Sequence, residues 1–223
     1  MMGEELVVIR LTFYVALVTS IAVLPLSLII AWVLARKKFR GKALVEALIT
    51  LPLVAPPVVT GYMLLLLFGR NGWVGRPLFQ MFGIRMTFNF FSLICASLVV
   101  SLPLAVRSIR ASFEMIDPMY ETVAQTLGKT PIETFFRVSL PMALPGVLSA
   151  MVLTFARSLG EFGATITLAG NIPNKTQTIS LLVYSYMQVP GMEKQAALMV
   201  LISLAVSFLA IAASEMLNKR HLR

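Results

Sequence analysis

Five long apolar stretches divide the chain and limit what it can fold into. Each has about 20 predominantly apolar residues, the length that a helix needs to cross the hydrocarbon core of a bilayer. With 58% hydrophobic and 13% charged residues, the chain cannot cover these stretches with its own polar surface. The sequence therefore predicts an all-α integral membrane protein, a single domain over residues 1–223, with transmembrane helices at residues 11–34, 43–68, 88–106, 145–166 and 196–217.

A sixth apolar stretch, residues 176–189, is too short to cross a bilayer and is followed by Pro190 and Gly191. We interpret it as a short interfacial or re-entrant helix. Prolines also recur inside the long stretches, where each frees a backbone carbonyl that a neighbouring helix or cavity water must satisfy. They suit a bundle that lines a pathway, although proline is common in membrane helices in general.

Basic residues are distributed unequally between the two sides of the predicted bundle, and this predicts its orientation, because cytoplasmic loops carry an excess of Lys and Arg. Twelve lie on one side: Arg36, Lys37, Lys38, Arg40, Lys42, Arg107, Arg110, Lys129, Arg137, Lys219, Arg220 and Arg223. Six lie on the other: Arg10, Arg70, Arg76, Arg85, Lys175 and Lys194. We therefore expect the N-terminus outside and the C-terminus in the cytoplasm.

The composition argues against several classes of function. One cysteine, Cys95, and one histidine, His221, are too few for a disulfide framework, a Cys or His metal site or a histidine-based acid–base dyad. We expect no metal, no cofactor and no catalytic residue. The formal charge of +9 lies in short clusters between apolar stretches, which indicates membrane topology and not nucleic-acid binding. Residues 128–130 resemble the end of a phosphate-binding loop, but Val123 replaces its first glycine, so no ATP site is predicted.

The longest predicted cytoplasmic connection, residues 108–140, carries the signals of a short helix with both ends specified. Asp117 is a favourable N-cap, and Pro118 fits the first helical position. Glu121 complements the helix dipole, and Gly128 can adopt the left-handed conformation that ends a helix. The predicted helix is about 15 Å long at 1.5 Å per residue.

This predicted helix carries four apolar side chains near one face and no apolar partner for them in its own segment. They form what we call the ridge: Met119, Tyr120, Val123 and Leu127. A helix with such a face is typical of a docking element, so we expect another protein to receive it. After it, Thr130 and Glu133 form a capping box that starts a second helix running toward Leu140 and Pro141.

Arg157 and Glu161 form the one strongly ionisable pair inside a predicted span. Their four-residue separation places them on one helix face, where each can neutralise the other. Charged residues at that depth are costly, so they are candidates for a functional role; the alternative is an internal salt bridge that pins the helix to a neighbour. With Ser158 between them, they are the candidate residues of a translocation pathway. Ala156, Gly160 and Ala164 repeat a small residue every fourth position, which favours close helix packing.

The loop resembles a known family motif. Residues 121–128, followed by Val138, Leu140-Pro141 and Pro145-Gly146, resemble the EAA loop of ABC importer permeases. Thr122 and Val123 stand where the motif usually has Glu and the first Ala, and the acid is displaced by one position to Glu121. The resemblance implies a coupling helix that docks into a groove on a separate cytoplasmic ATPase subunit. The residues implied in ATPase coupling are Asp117, Met119, Tyr120, Glu121, Val123, Ala124, Leu127 and Gly128.

Three further motifs, at residues 51–62, 155–164 and 171–173, resemble molybdate permease subunits; sulfate permeases share part of the second. The resemblance implies a type I ABC importer transmembrane domain in the bacterial cytoplasmic membrane, which moves an oxyanion by alternating access and has no ATP site of its own. It also implies a homodimer of this subunit, two cytoplasmic ATPase subunits and an extracytoplasmic oxyanion-binding protein.

Several alternatives remain open at this point. A sulfate, thiosulfate or tungstate permease would share most of these motifs. A stand-alone channel or membrane scaffold would explain the spans and the charge bias, but not the capped helix with its ridge. A membrane-embedded enzyme using Glu161 has the least support, because no second catalytic carboxylate, histidine or metal cluster accompanies it.

Overall fold

The computed structural model describes the backbone of residues 2–221 and the side chains of residues 4–212. Over this part of the chain the secondary structure is helical without strands, which confirms the predicted all-α class. The elements are α1 Met2–Arg36, α2 Lys42–Val54, α3 Pro57–Phe68, α4 Gly75–Phe82, α5 Phe90–Met115, α6 Pro118–Thr126, α7 Pro131–Thr134, a π-helix Phe135–Ser139, α8 Leu140–Met142, α9 Leu144–Leu159, α10 Gly163–Leu168, α11 Ile179–Met187 and α12 Glu193–His221. The side chains of the C-terminal basic tail and of His221 lie outside the described residues.

Three helices are long and apolar enough to cross a membrane without interruption, namely α1, α5 and α12 over their described residues. Two further candidates are bent helix pairs. The angle between α2 and α3 is 113°, and that between residues 131–142 and α9 is 68°. Counting each bent pair as one span brings the candidates up to five, the number predicted, but two of the five are not single helices.

The predicted continuous span at residues 43–68 is wrong, because the helix breaks in its middle. Helix α2 ends at Val54, and Ala55 is extended, with φ −65° and ψ 144°. Pro56 and Pro57 follow, and α3 begins at Pro57. A residue before proline disfavours the α conformation, and two successive prolines remove two backbone donors from the helical ladder. Pro56 and Pro57 therefore end α2 and do not merely weaken a continuous helix.

The predicted span at residues 145–166 is also interrupted. Helix α9 ends at Leu159 with Gly160 as its C-cap, and the short helix α10 starts at Gly163. Helix α10 packs on α3, so the two breaks lie side by side. A Cβ added to Gly61 would clash with Thr167 Oγ1 and lie 2.8 Å from Ala164 Cα. The absence of a side chain at Gly61 thus permits the close packing of α3 on α10.

The centre of the bundle is formed by α1, α5 and α9, which pack along one another. Its buried core includes Val23 and Ala31 of α1, Ala105 and Ile109 of α5, and Ala150 of α9. The small side chains among them allow the helix axes to approach closely, as is usual for membrane helices. Helix α5 runs to Met115, so the predicted loop at residues 108–140 begins with the last two turns of this helix.

The short helix predicted within residues 176–189 is present as α11. Its nine residues, Ile179–Met187, correspond to about 14 Å, too short to cross a bilayer. It packs on α12, and Ile179 and Leu181 are buried. The backbone N–H of Ile179 donates to Thr12 Oγ1 of α1 at 2.9 Å. A threonine from another helix therefore caps α11, which joins it to the main bundle.

Candidate functional site

Helix α6 has the two ends that its sequence predicts. The Asp117 carboxylate accepts a hydrogen bond from the backbone N–H of Met119 at 2.8 Å. At the other end Gly128 has φ +83°, in the left-handed region. The N–H of Gly128 donates to the Gln125 carbonyl at 3.0 Å, and the N–H of Lys129 donates to the Ala124 carbonyl at 3.1 Å. These two bonds form a Schellman motif, so the length of the helix is set by local hydrogen bonds.

The ridge is exposed along its whole length. Met119, Tyr120, Val123 and Leu127 are 67%, 56%, 45% and 77% exposed. The opposite face of α6 turns toward the bundle, where Ala124 is buried and the Glu121 side chain is 15% exposed. Exposing these apolar side chains to water is unfavourable in free energy, and a protein partner that covered them would remove this penalty.

Glu121 holds α6 to the rest of the molecule. Its Oε1 accepts a hydrogen bond from Arg36 Nε at 3.0 Å and another from Ser139 Oγ at 2.7 Å. Arg36 Nη2 also donates to the Ile116 carbonyl at 3.1 Å, in the connection between α5 and α6. The sequence interpretation assigned Glu121 to the helix dipole and to ATPase coupling, and did not pair it with Arg36 or Ser139. The sequence carries only a weak indication of this contact. Arg36 was noted as a basic residue after the first span, but it was used only to predict the orientation of the bundle.

The predicted second capped helix is present, although it continues as a π-helix. The Glu133 N–H donates to Thr130 Oγ1 at 3.2 Å, and the Thr130 N–H donates to Glu133 Oε2 at 3.0 Å. This backbone hydrogen bond, followed by the nearby Lys129 ammonium, lowers the pKa of the Glu133 carboxyl group. In the π-helix, the ring of Phe135 lies 5.8 Å from that of Trp32 in α1 and 6.1 Å from that of Phe113 in α5.

Arg157 and Glu161 form the predicted ion pair, with 2.7 Å between Arg157 Nη1 and Glu161 Oε2. The prediction that they share one helix face is wrong, because α9 ends at Leu159 and Glu161 lies in the break. Glu161 Oε1 accepts a hydrogen bond from the backbone N–H of Ala164 at 2.9 Å, in the first turn of α10. The Glu161 side chain is 1% exposed and that of Arg157 29%. The buried Ser158 hydroxyl has no hydrogen-bond partner among the described residues.

The loop between α3 and α5 is compact. Arg70 and Arg85 lie over the ring of Phe79 in α4, at 5.0 Å and 5.6 Å from its centroid. These residues line a cavity of about 410 Å³. Residues 69–89 include Arg76 as a third basic residue and no acidic one. The loop therefore presents a positively charged surface.

The candidate residues thus form two groups. Those of residues 117–128 come together on α6, and Arg157, Ser158 and Glu161 come together at the break between α9 and α10. No group of three or more His, Cys, Asp and Glu side chains that could hold a metal ion occurs among the described residues.

Comparison with known proteins decides the family. A family model described as the binding-protein-dependent transport system inner membrane component matches residues 11–223. The chain belongs to this family. It is therefore a multi-pass component of an inner-membrane transport system, and the resemblance of residues 121–128 to the EAA loop of importer permeases reflects this membership.

Individual relatives are similar over most of their length. The molybdenum transport system permease protein ModB of Haemophilus influenzae is 49% identical over 97% of this chain and 94% of that protein. The protein of the same name from Escherichia coli is 46% identical over 91% of this chain and 90% of that protein. The sulfate transport system permease protein CysT of Salmonella typhimurium is 40% identical over 80% of this chain and 64% of that protein.

Solved structures show the same fold. A bacterial ABC transporter involved in the import of the acidic polysaccharide alginate matches with a TM-score of 0.73 and 16% identity, covering 97% of this chain and 79% of that one. An amino acid ABC transporter matches with a TM-score of 0.64 and 17% identity, covering 98% and 94%. The fold is that of an ABC importer membrane domain, and the predicted fold class is confirmed.

Proposed function

We propose that this chain is the permease subunit of an ATP-driven importer whose transported ion is molybdate. The observation that carries the proposal is the 49% identity to a molybdenum permease over 97% of the chain. The sulfate permease relative is less similar and is matched over a smaller part of both proteins. Molybdate is therefore favoured over sulfate.

Helix α6 is the proposed contact with the ATPase. Its ends are set by the Asp117 cap and the Gly128 turn, its inner face is held by Glu121, and its ridge is exposed. A rigid helix that presents four apolar side chains suits insertion into a groove of a partner protein. ATP hydrolysis then takes place in that partner, and this chain responds to its movement.

The remaining partners are a second copy of this chain, with which it forms the translocation pathway, and an extracytoplasmic oxyanion-binding protein. The proposed orientation has the N-terminus outside and α6 in the cytoplasm. In that orientation the basic loop of residues 69–89 faces outward. Its positive charge and its lack of acidic residues suit contact with an acidic surface of the binding protein.

Arg157, Ser158 and Glu161 are the proposed residues of the pathway. Glu161 neutralises Arg157 and at the same time caps the first turn of α10. The Arg157 side chain is 29% exposed, whereas that of Glu161 is 1% exposed, so Arg157 is the member of the pair that a passing anion can approach. A cation that is already paired would attract an oxyanion without holding it tightly, and a transport pathway needs such weak binding.

Uptake by the reconstituted complex tests this function. Proteoliposomes would contain the chain with its ATPase subunit and binding protein, and uptake of labelled molybdate would be measured with unlabelled molybdate, tungstate and sulfate as competitors. We expect uptake to require ATP and to resist excess sulfate. Equal competition by sulfate would assign a sulfate permease, and anion flux without ATP would indicate a channel.

A further inference from the structure

Arg36 and Glu121 together link α1, α6, the π-helix and the connection between α5 and α6. Arg36 lies in the last turn of α1, and its Nε donates to Glu121 Oε1 of α6 at 3.0 Å. Its Nη2 donates to the Ile116 carbonyl, between α5 and α6, at 3.1 Å. Ser139, the last residue of the π-helix, donates to the same oxygen of Glu121 at 2.7 Å. We call these residues the Arg36–Glu121 cluster.

The burial of this cluster distinguishes it from the other ion pairs near α6. The side chains of Arg36 and Glu121 are 11% and 15% exposed. Those of Arg110 and Glu114 are 26% and 47% exposed. Exposed pairs contribute little, because water screens them, whereas a partly buried pair with further hydrogen bonds is costly to break from one side. The cluster is thus a partly buried polar attachment of α6 to α1.

Other packing of α6 is local. Its main packing partners among the described residues are the π-helix and α7, which follow it directly in the chain. Its ridge points away from the bundle. Helix α1, by contrast, packs along both α5 and α9, and Phe13 of α1 contacts Phe155 of α9 with 5.7 Å between the ring centroids. Phe155 lies two residues before Arg157, so α1 connects the α6 end with the part of α9 that precedes the break between α9 and α10.

We propose that the Arg36–Glu121 cluster transmits the movement of α6 to α1. Arg36 and Glu121 are then positioning residues, which touch neither the anion nor ATP. When the ATPase moves the ridge, the cluster carries the cytoplasmic end of α1 with it. This inference rests on the proposed function. It also gives the displaced acid of the EAA-like motif a role within this chain, since Glu121 is directed toward Arg36 and not toward the ridge.

Charge-removing variants test the proposal in the full complex. Glu121→Gln and Arg36→Gln remove one charge each, and the double variant replaces the ion pair by two amides that can still bond to each other. We expect the complex to assemble and hydrolyse ATP, while anion uptake per ATP falls about tenfold, equivalent to about 1.4 kcal/mol, in each single variant. The double variant should be no worse than either single one, because the two residues act as a unit.

Glu114→Gln is the matched control, because it breaks the exposed Arg110–Glu114 pair at the same end of the bundle and should leave uptake per ATP unchanged. Spin labels at Lys38 and Gln125, with Cys95 replaced by Ala, supply a second measurement. The distance between the labels should stay sharply defined through the ATP cycle in the parent complex and broaden in Glu121→Gln.

Four outcomes decide between the possibilities. Parental uptake per ATP in both single variants would overturn the proposal. Loss of the ATPase subunit from the variants would also overturn it, in favour of a docking role. A distance distribution unchanged by Glu121→Gln would show that the cluster does not fix α6 to α1. Absence of ATP-dependent uptake in the parent complex would instead overturn the proposed function, and this inference with it.

Discussion

Arg157 Nη1 lies 2.7 Å from Glu161 Oε2 although α9 ends between the two residues, at Leu159. The same carboxylate accepts a hydrogen bond from the backbone N–H of Ala164 in α10. The buried Glu161 carboxylate therefore neutralises the charge of Arg157 in the last turn of α9 and also caps the first turn of α10. The ion pair fixes the geometry of a helix break, which a pair on one uninterrupted helix face would not do.

This arrangement predicts unequal effects of single and double substitutions. Arg157→Gln leaves the Glu161 carboxylate buried without its cation, which should destabilise the fold by about 3 kcal/mol. Arg157→Gln with Glu161→Gln removes both charges and keeps an oxygen that can accept from Ala164, so it should be milder. The yield of intact complex and the anion uptake of each variant would be measured.

The uptake of the double variant separates the two roles of Arg157. Near-normal uptake would make the pair structural, whereas uptake that is lost in an assembled complex would place Arg157 in contact with the anion. Normal assembly and uptake in Arg157→Gln alone would remove Arg157 from both roles.

The basic outer loop offers a test of binding-protein contact. Arg70→Glu combined with Arg85→Glu should weaken the stimulation of ATP hydrolysis by the binding protein, and added salt should reduce the difference from the parent. The same substitutions remove two cation–π contacts with Phe79, each worth about 0.5–1 kcal/mol at an exposed site.

Two controls separate charge from folding of this loop. Phe79→Leu removes the ring and keeps both arginines, so it should preserve stimulation if charge is what matters. Arg76→Glu reverses a charge without removing a contact to the ring of Phe79. It should also weaken stimulation by the binding protein, but less than the double substitution at Arg70 and Arg85 does. Stimulation lost in Phe79→Leu and kept in Arg76→Glu would show that the loop contributes through its fold.

The orientation can be tested by cysteine labelling from outside intact cells, after replacement of Cys95 by Ala. Single cysteines at the exposed positions Asn71 and Asn174 should react with an impermeant reagent. Cysteines at Lys38 and Lys129 should react only after the membrane is opened. Labelling at Lys129 in intact cells would reverse the orientation and would place α6 on the side opposite to the ATPase.

Local hydrogen bonds explain which features could be predicted from the sequence. The Asp117 cap, the left-handed Gly128 and the Thr130–Glu133 capping box each join residues within a few positions of one another. Their geometry is decided by the residue types and the spacing alone. The apolar stretches were likewise sufficient to predict a helical membrane bundle.

Features that depend on packing between helices could not be predicted in this way. Arg36 and Glu121 are 85 positions apart, and only the packing of α1 beside the connection from α5 brings them together. The break at Ala55 had a visible signal in Pro56 and Pro57, but prolines also occur inside continuous membrane helices, as Pro25 does in α1. What stabilises the break is the close approach of α3 to α10 at Gly61.

Gly128 gives the most direct test of coupling, because its role is conformational. Its φ is +83°, and a Cβ added there would meet nothing within 4 Å. Gly128→Val should therefore cause no clash, only backbone strain of about 1–3 kcal/mol, since a β-branched residue rarely adopts this conformation. The strain should be relieved by loss of the two hydrogen bonds that end α6, which would turn the ridge away from its angle of contact with the ATPase.

Two controls for Gly128→Val test whether its effect comes from the positive φ and whether it depends on the position at the end of α6. Gly128→Asn should retain most activity, because Asn tolerates positive φ better than other side chains do. Gly191→Val places the same strain, at φ +88° and again with nothing within 4 Å, in the turn between α11 and α12. We expect Gly128→Val to insert normally and to lose either its ATPase partner or ATP-dependent uptake, while Gly191→Val keeps both. Full uptake in a well-expressed Gly128→Val variant would show that α6 is not the coupling element.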